Sequence, residues 1–500
     1  MSHDPAPPRP RTHDAAPRRV GMISLGCPKN LVDSEVMLGT LRGEGHEIVS
    51  DIDQADTVIV NTCAFIDPAK EESIDTILDV ARRKQMDGGP SKLIVAGCMV
   101  NRYAEALAEE IPEIDGFVDL DGLREVGRVI DGARARSGGG LVTIGAPDGG
   151  RPAPPTFRSD QIASERVFDH ESPRLRITPT HAYLKVAEGC NNPCTFCAIP
   201  QWRGRFRSRT IESLVEEARR FADEGVQELN LIAQDTTRYG EDLDYGRHGL
   251  VKLVEALLAA TDVPWIRFLY AYPTTLDEEL LVLMGQEPRF VSYLDMPLQH
   301  SHPDMLRAMR RGGRAPRYLR QLARARELAP DVFLRSTFIV GFPGETEEHA
   351  DHLIDFIEEA QFDHLGGFVY SPEDGTPGAA LPNRVPAGVA QRRHARLLEA
   401  QRPIAHARRQ ALVGRVLPVL VEGVCRETEH LLEGRHHGMA PEIDGRLLIN
   451  DGVAPPGRFV ELEITEAHAD DLVGRIVGPR DVPGIVRSPD ADLAAAHDVR

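Results

Sequence analysis

The sequence predicts an α/β protein in three blocks: a doubly wound parallel-sheet domain, a partial or complete (β/α) barrel, and a small antiparallel β-barrel. Three observations predict it. From residue 19 to 136, short continuous apolar runs alternate with amphipathic helical spacing, as parallel strands buried on both faces require. The alternation resumes at 179 and runs through about six units to 406. From 407 to 478 the pattern shortens to β-prone runs bounded by turns.

In the first block, strands are expected at 20–25, 57–61 and 92–96, with helices at 30–42, 67–84 and 102–110. Cys27, Cys63 and Cys98 each stand just past the carboxyl end of a strand, where open α/β sheets bind ligands. Gly26 and Gly97 precede two of them and allow close approach to the backbone. One such cysteine usually packs as a small hydrophobe; three in register point to a metal site. Residues 137–178, with Gly138-Gly139-Gly140 and a proline run, read as a linker holding one short strand at 141–144.

The barrel block opens on Cys190, Cys194 and Cys197, a C-x₃-C-x₂-C loop just after an apolar run. Asn191, Asn192 and Pro193 favour turns there. Three thiolates are one short of a closed zinc site or a four-cysteine cluster, whereas a three-cysteine [4Fe–4S] cluster leaves one iron open. A zinc knuckle completed by a distant ligand such as His181, or plain buried thiols, stays open at this point. Strands are expected at 228–233, 265–270, 292–296, 333–340 and 365–370, and helices at 211–224, 250–260, 276–284, 317–328 and 346–360. The strand ends carry Gln234-Asp235, Ala271-Tyr272-Pro273, Gly341 to Glu345, and Ser371-Pro372-Glu373-Asp374, a shared placement that suggests one cleft. Gly341 and Gly344 would let a ribose or adenine lie against the backbone, while Glu345 also suits the start of a helix.

Composition bounds the function. With 58 basic and 77 acidic residues the formal charge is −19, which disfavours a sequence-independent nucleic-acid binder. Residues 1–18 lack an apolar core and read as a disordered tail, not a signal peptide; 479–500 read as a mobile tail. No apolar run is long enough to span a membrane. Seven cysteines arranged for metal point to a reducing, cytoplasmic setting, with Cys425 a structural thiol.

Taken together, the three blocks resemble the radical-SAM methylthiotransferase family over residues 19–478. The motifs that carry the resemblance are Gly26-Cys27-Pro28-Lys29-Asn30, Asn61-Thr62-Cys63-Ala64-Phe65, the Cys190–Cys197 loop, Arg203 to Arg209, Tyr270-Ala271-Tyr272-Pro273 and Met296 to Ser301. The resemblance implies two [4Fe–4S] clusters, an auxiliary one on Cys27, Cys63 and Cys98 and a radical-generating one on Cys190, Cys194 and Cys197. It implies S-adenosylmethionine as radical source and methyl donor, with cofactor contacts from Phe196, Gln234, Asp235, Gly341, Gly344 and Glu345. Substrate contacts would come from Tyr272, Glu373 and Asp374, and the C-terminal block would be a TRAM-like barrel.

Within the family the motifs resemble the branch that methylthiolates the β-carbon of an aspartate in the twelfth small-subunit ribosomal protein. The tRNA-modifying relatives tend to carry Gln-Met at Pro28-Lys29 and Arg-Pro at Glu373-Asp374; Ala64, where the branch often has glycine, is a small departure. A β-hydrogen of aspartate is too weakly acidic for an ordinary base, so hydrogen-atom abstraction is the reasonable route. The expected partners are that basic ribosomal protein and an electron donor such as flavodoxin or ferredoxin, with the chain a monomer and tRNA disfavoured. Residues 411–478 hold twelve acids against six arginines and no lysine, which suits a basic protein partner. The alternatives are a tRNA adenosine methylthiotransferase and, more distantly, a non-enzymatic iron–sulfur electron carrier or RNA-binding protein.

Overall fold

The computed structural model describes residues 17–135, 142–144 and 170–479. The expected tails, apart from their inner ends, and most of the expected linker lie outside the described residues.

The first block is a six-stranded parallel sheet. Its strands are β1 (Arg19–Ser24), β2 (Glu47–Ile48), β3 (Thr57–Thr62), β4 (Lys92–Gly97), β5 (Gly116–Val118) and β6 (Val142–Ile144), in the order β2-β1-β3-β4-β5-β6. Helices α1 (Pro28–Gly43) and α4 (Val126–Ala135) cover one face through Met37, Leu41, Val126 and Ile130. Helices α2 (Asp67–Lys84) and α3 (Val100–Glu110) cover the other through Ile77, Val80 and Leu107. The sheet is therefore doubly wound, and its strand order reverses between β1 and β3. The edge strand β6 falls inside the expected linker, so the sheet reaches further than its sequence boundary.

Helix α1 departs from the pattern of a surface helix. Its charged residues Lys29, Asp33 and Glu35 are buried, because a second body covers the face they lie on. That body is the barrel. Strands β7 (His181–Lys185), β10 (Glu228–Ile232) and β11 (Trp265–Phe268) form one parallel trio; β12 (Tyr293–Asp295), β13 (Phe333–Val340) and β14 (His364–Val369) form another. A single bridge, Ile266 to Phe290, links the trios, so the barrel is partial. Between β7 and β10 lies a small hairpin, β8 (Ala187–Glu188) and β9 (Arg207–Ser208), with the short helix α5 (Ile199–Trp202) inside its loop. Helices α6 (Ile211–Asp223), α7 (Gly249–Ala260), α8 (Glu278–Gln286), α9 (Pro303–Ala308), α10 (Ala315–Leu328) and α11 (Glu347–Ala360) form the outer ring. The last, α12 (Ala387–Gln410), leads into the C-terminal block.

That block is a closed five-stranded barrel: β15 (Val416–Val424), β16 (Leu432–His436), β17 (Leu447–Asp451), β18 (Phe459–Ala467) and β19 (Leu472–Pro479). It is not wholly antiparallel as expected, because β17 and β19 pair in parallel to close it. It caps the base of the large barrel, at the first residues of the strands. Arg435 pairs with Glu228 at 2.7 Å, the Phe459 ring meets Trp265 edge-on, and Tyr293 donates to Asp444 at 2.7 Å.

Glu228 is fully buried between Arg267 and Arg435. Burial pushes its carboxyl up, but the two guanidinium groups outweigh burial and hold it at about 2, from 4.5. Its stabilisation is therefore complete above pH 4.5 and is lost as pH falls through about 2. Glu228→Gln should destabilise the chain by about 3 kcal/mol in urea unfolding at neutral pH, since buried Arg267 loses its counter-charge and Arg435 is left with Glu422 alone.

Candidate active site

The carboxyl ends of β1, β3 and β4 bring Cys27, Cys63 and Cys98 together at the point where the strand order reverses. Two glycines make this possible. A Cβ on Gly26 (φ +88°) would stand 2.6 Å from Cys63 Cβ, and one on Gly97 (φ +92°) 2.3 Å from Asn61 Oδ1. Asn30 fastens the loops, donating to Leu25 O (3.1 Å) and Thr62 O (2.8 Å), while Asn61 donates to Asn30 O and Ser34 Oγ, both at 2.8 Å. Burial pushes the Cys63 thiol up to about 12, and neighbouring Cys27 and Cys98 add to the shift. Burial also raises Cys98, against the pull of Arg203. Three soft donors whose charges repel one another suit a cationic iron–sulfur centre, which favours all three thiolates at once.

The second triad sits on the loop after β8. Gly189 (φ +80°) again has no room for a side chain, because a Cβ would lie 2.2 Å from Arg205 O. The Asn192 amide N–H points at Cys190 Sγ (3.4 Å), and its side chain donates to Asp235 at 2.7 Å. Thr195 ties the loop across the barrel mouth, N–H to Met309 O at 3.0 Å and Oγ1 to Ala308 O at 2.8 Å. Arg311 points at Cys194 Sγ (3.6 Å) and lies 4.0 Å over the Tyr272 ring. Burial pushes Cys197 up to about 12, with Cys194 and Cys190 contributing. This donor set fits an iron–sulfur centre for the same reason as the first.

A buried network of four charges runs between the triads. Asp33 on α1 accepts from Lys185 (2.7 Å) and Arg203 (2.9 Å), and Glu188, beside Gly189, accepts from the same two at 2.8 and 3.2 Å. Arg203 also donates to Asn30 Oδ1 (2.8 Å) and reaches Cys98 Sγ at 3.4 Å. Burial would raise the Glu188 carboxyl, yet Lys185 and Arg203 hold it well below the usual range. Tyr270 and Gln299, at the ends of β11 and β12, hold positive φ of 67° and 73°, and Lys29 stands 3.1 Å over the Tyr270 ring. Strained non-glycine backbone at a barrel mouth marks a functional region.

The other residues singled out from sequence fall in three places. Phe196 is half-buried within the cysteine loop, Gln234 donates to Glu188 at 2.7 Å, and Asp235 is buried among Asn192, Thr237 and Arg238. Glu345 meets His300 at 3.2 Å, Arg393 at 2.8 Å and the Gly341 N–H at 2.6 Å, so it braces the turn that carries Gly341 and Gly344. A Cβ on Gly341 (φ +78°) would meet Ala390 of α12 at 2.5 Å; one on Gly344 (φ +85°) would meet nothing. Glu373 is buried, bound to Lys70 of α2 at 2.6 Å and to Arg102 of α3, whereas the Asp374 side chain is 96 % exposed. Sequence reasoning gave no site role to Asn30, Asp33, Lys185, Glu188, Arg203 or Arg311, although Asn30 and Arg203 stand in the motifs that carry the resemblance; for Asn30 and Asp33 a further signal was their placement within seven residues of Cys27 in a helix without a clean polar face.

Three family models match the chain: the uncharacterized protein family UPF0004 over residues 19–119, the radical SAM superfamily over 184–357 and the TRAM domain over 413–477. The chain is 48% identical over 461 residues to the ribosomal protein uS12 methylthiotransferase RimO of Anaeromyxobacter sp. (strain K), covering 92% of this chain and 93% of that one. The chain belongs to the RimO family of radical-SAM methylthiotransferases. RimO proteins of Solibacter usitatus (47% over 468 residues, 92% and 95% covered) and Geobacter sulfurreducens (46% over 463, 92% and 99%) are similarly related. Among solved structures, the radical S-adenosylmethionine methyltransferase TsrM of Kitasatospora setae shares the fold, with TM-score 0.52 at 18% identity over 73% of this chain and 77% of that one. As a radical-SAM enzyme, a RimO-family chain uses a [4Fe–4S] cluster and S-adenosylmethionine.

Glu373 and Asp374 separate two roles that adjacency in sequence conflates. Glu373→Gln leaves largely buried Lys70 with only the exposed Asp67, and Arg102 with only the exposed Asp374, and should raise amide hydrogen exchange where α2 and α3 meet the β14 loop. Asp374→Asn should leave exchange there unchanged and stability within about 0.5 kcal/mol. Equal effects from both would refute the assignment of Glu373 as an interdomain tie.

Proposed function

We infer that this chain adds a methylthio group to the β-carbon of an aspartate in ribosomal protein uS12. The observation that carries the reading is the pair of cysteine triads, each at the carboxyl end of its own parallel sheet and joined by the Asp33–Arg203 network. Cys190, Cys194 and Cys197 would hold the radical-generating [4Fe–4S] cluster, and Cys27, Cys63 and Cys98 an auxiliary one. When bound, these centres and S-adenosylmethionine supply the radical and the sulfur.

The chain's own residues position and enclose. Asn192, through Asp235, fixes the loop that presents Cys190, and Thr195 fixes it on the far side. Phe196, Gln234, Gly341 and Gly344 would line the S-adenosylmethionine site, with Glu345 shaping the Gly341–Gly344 turn from behind. Tyr272, held beneath Arg311, and exposed Asp374 would meet the substrate. Glu373 acts one step back, holding the auxiliary domain on the barrel. Modification of tRNA is not favoured: relatives 47% and 48% identical over 92% of the chain carry the uS12 name, and the chain is acidic. We place the enzyme in the cytoplasm, as a monomer supplied by an electron carrier, within the three blocks 19–136, 179–406 and 407–478.

Anaerobic reconstitution should give about eight irons per chain. Replacing Cys190, Cys194 and Cys197 by Ala should halve the iron and abolish cleavage of S-adenosylmethionine. Replacing Cys27, Cys63 and Cys98 should also halve it but leave uncoupled cleavage measurable, with no methylthiolated uS12 by mass spectrometry. Methylthiolation by the second variant would sink the auxiliary-site assignment.

A further inference from the structure

Residues 307–326 carry eight arginines and no acid, in a chain whose formal charge is −19. Half of them have partners. Arg307 pairs with Asp304 at 2.7 Å, Arg311 faces Cys194 and Tyr272, Arg324 pairs with Glu278 and Glu327, and Arg326 donates to the carbonyls of Ala360 and Gln361. Arg310, Arg314, Arg317 and Arg320 are exposed, and among the described residues their guanidinium groups have no partner. Helix α10 buries Ala315, Tyr318, Leu322 and Ala325, which leaves Arg317 and Arg320 on its solvent side. Arg314 is its N-cap and Arg310 lies in the loop before it. Cations at a helix N-terminus oppose the helix dipole and here also repel one another. Packing does not explain them.

Their position does. Met309 and Ala308, immediately before Arg310, accept the two hydrogen bonds from Thr195, between Cys194 and Cys197, and Arg311 faces Cys194 itself. Around residue 310 one thickness of backbone separates the basic surface from the cysteine loop. We propose that Arg310, Arg314, Arg317 and Arg320 form the docking surface for an acidic one-electron carrier protein that reduces the centre held by Cys190, Cys194 and Cys197. The proposal rests on the radical-SAM reading of that loop. Per encounter the carrier is oxidised by one electron and the centre reduced by one; no group is transferred. Charge complementarity steers such a partner and speeds its encounter. A basic protein substrate is repelled from this face, so substrate and reductant approach by different sides. RNA is the other polyanion to consider, but Tyr318 and Tyr272 are buried and give bases no stacking platform here, and the wider acidic surface opposes a long polyanion.

The test uses the full reconstituted chain and a variant with Arg310→Gln, Arg314→Gln, Arg317→Gln and Arg320→Gln. The probes are a purified acidic flavodoxin and a small-subunit ribosomal RNA fragment. Flavodoxin Kd by calorimetry should weaken by about tenfold or more in the variant, and its dependence on salt should flatten. Cleavage of S-adenosylmethionine driven by reduced flavodoxin should fall in parallel, while cleavage driven by dithionite should not change. Arg307→Gln with Arg324→Gln, which removes paired arginines of the same segment, should leave flavodoxin binding intact and so excludes a general loss of fold or charge. Unchanged flavodoxin affinity in the fourfold variant overturns the proposal, as does RNA binding that is lost in its place. Absence of dithionite-driven cleavage in the unaltered chain would instead overturn the radical-SAM reading, and the binding measurement would still decide the docking surface.

Discussion

A carboxylate almost without access to water determines how the two halves of this enzyme meet. Asp33 belongs to the sheet domain, Lys185 to the first barrel strand, and Arg203 and Glu188 to the segments flanking the cysteine loop. The four charges sum to zero only when the domains are docked. Docked in any other register, the halves would bury Asp33, or Lys185 and Arg203, without the opposite charge, an outcome several kcal/mol less favourable. Apolar packing alone would tolerate sliding; this arrangement does not, because each carboxylate is bound by both cations. The two cysteine triads therefore face each other in one register, and Arg203, which touches Cys98 on one side and Glu188 on the other, is where that register is set.

The parts of the fold that were legible from sequence are those where one local signal dominates. Helix α2 and strand β13 match their expected bounds because amphipathic or apolar periodicity fills each segment. The cysteine triads were legible because spacing and strand-end placement are properties of the chain itself. Helix α12 was not expected. Pro403 sits inside it, and its arginine-rich face, including Arg393, reaches Glu345 and Glu347, contacts with no sequence signature. The parallel pairing of β17 with β19 was not expected either, because strand direction is not reported by local pattern. The same limit governs the site. Glu345 and Glu373 stand where a ligand-binding residue would stand, but long-range partners, Arg393 and His300 for one and Lys70 and Arg102 for the other, decide what each carboxylate does.

Chemistry and closure occupy opposite ends of the barrel. Both triads, the strained Tyr270 and Gln299, and the turn braced by Glu345 lie at the carboxyl ends of the strands. The C-terminal barrel lies at the other end, and part of its acidic character is spent there: Asp444 on Tyr293 and Arg335, Glu422 on Arg435. The acids left on its outer surface are therefore fewer than composition suggests, and any steering they exert acts from beneath the barrel, away from the mouth.

That placement also sets an order of assembly. The C-terminal barrel leaves the ribosome after the large barrel has been synthesised, so Glu228 and Arg267 wait at an unsealed base for Arg435 and the His437 carbonyl. Until then Trp265 and Tyr293 lack the Phe459 ring and the Asp444 carboxylate that cover them. A nascent chain at this stage holds both cysteine triads but not a finished core, and exposed apolar surface of that kind is what chaperones and proteases read. The segment that touches neither triad is thus the one that completes the core of the barrel holding the second.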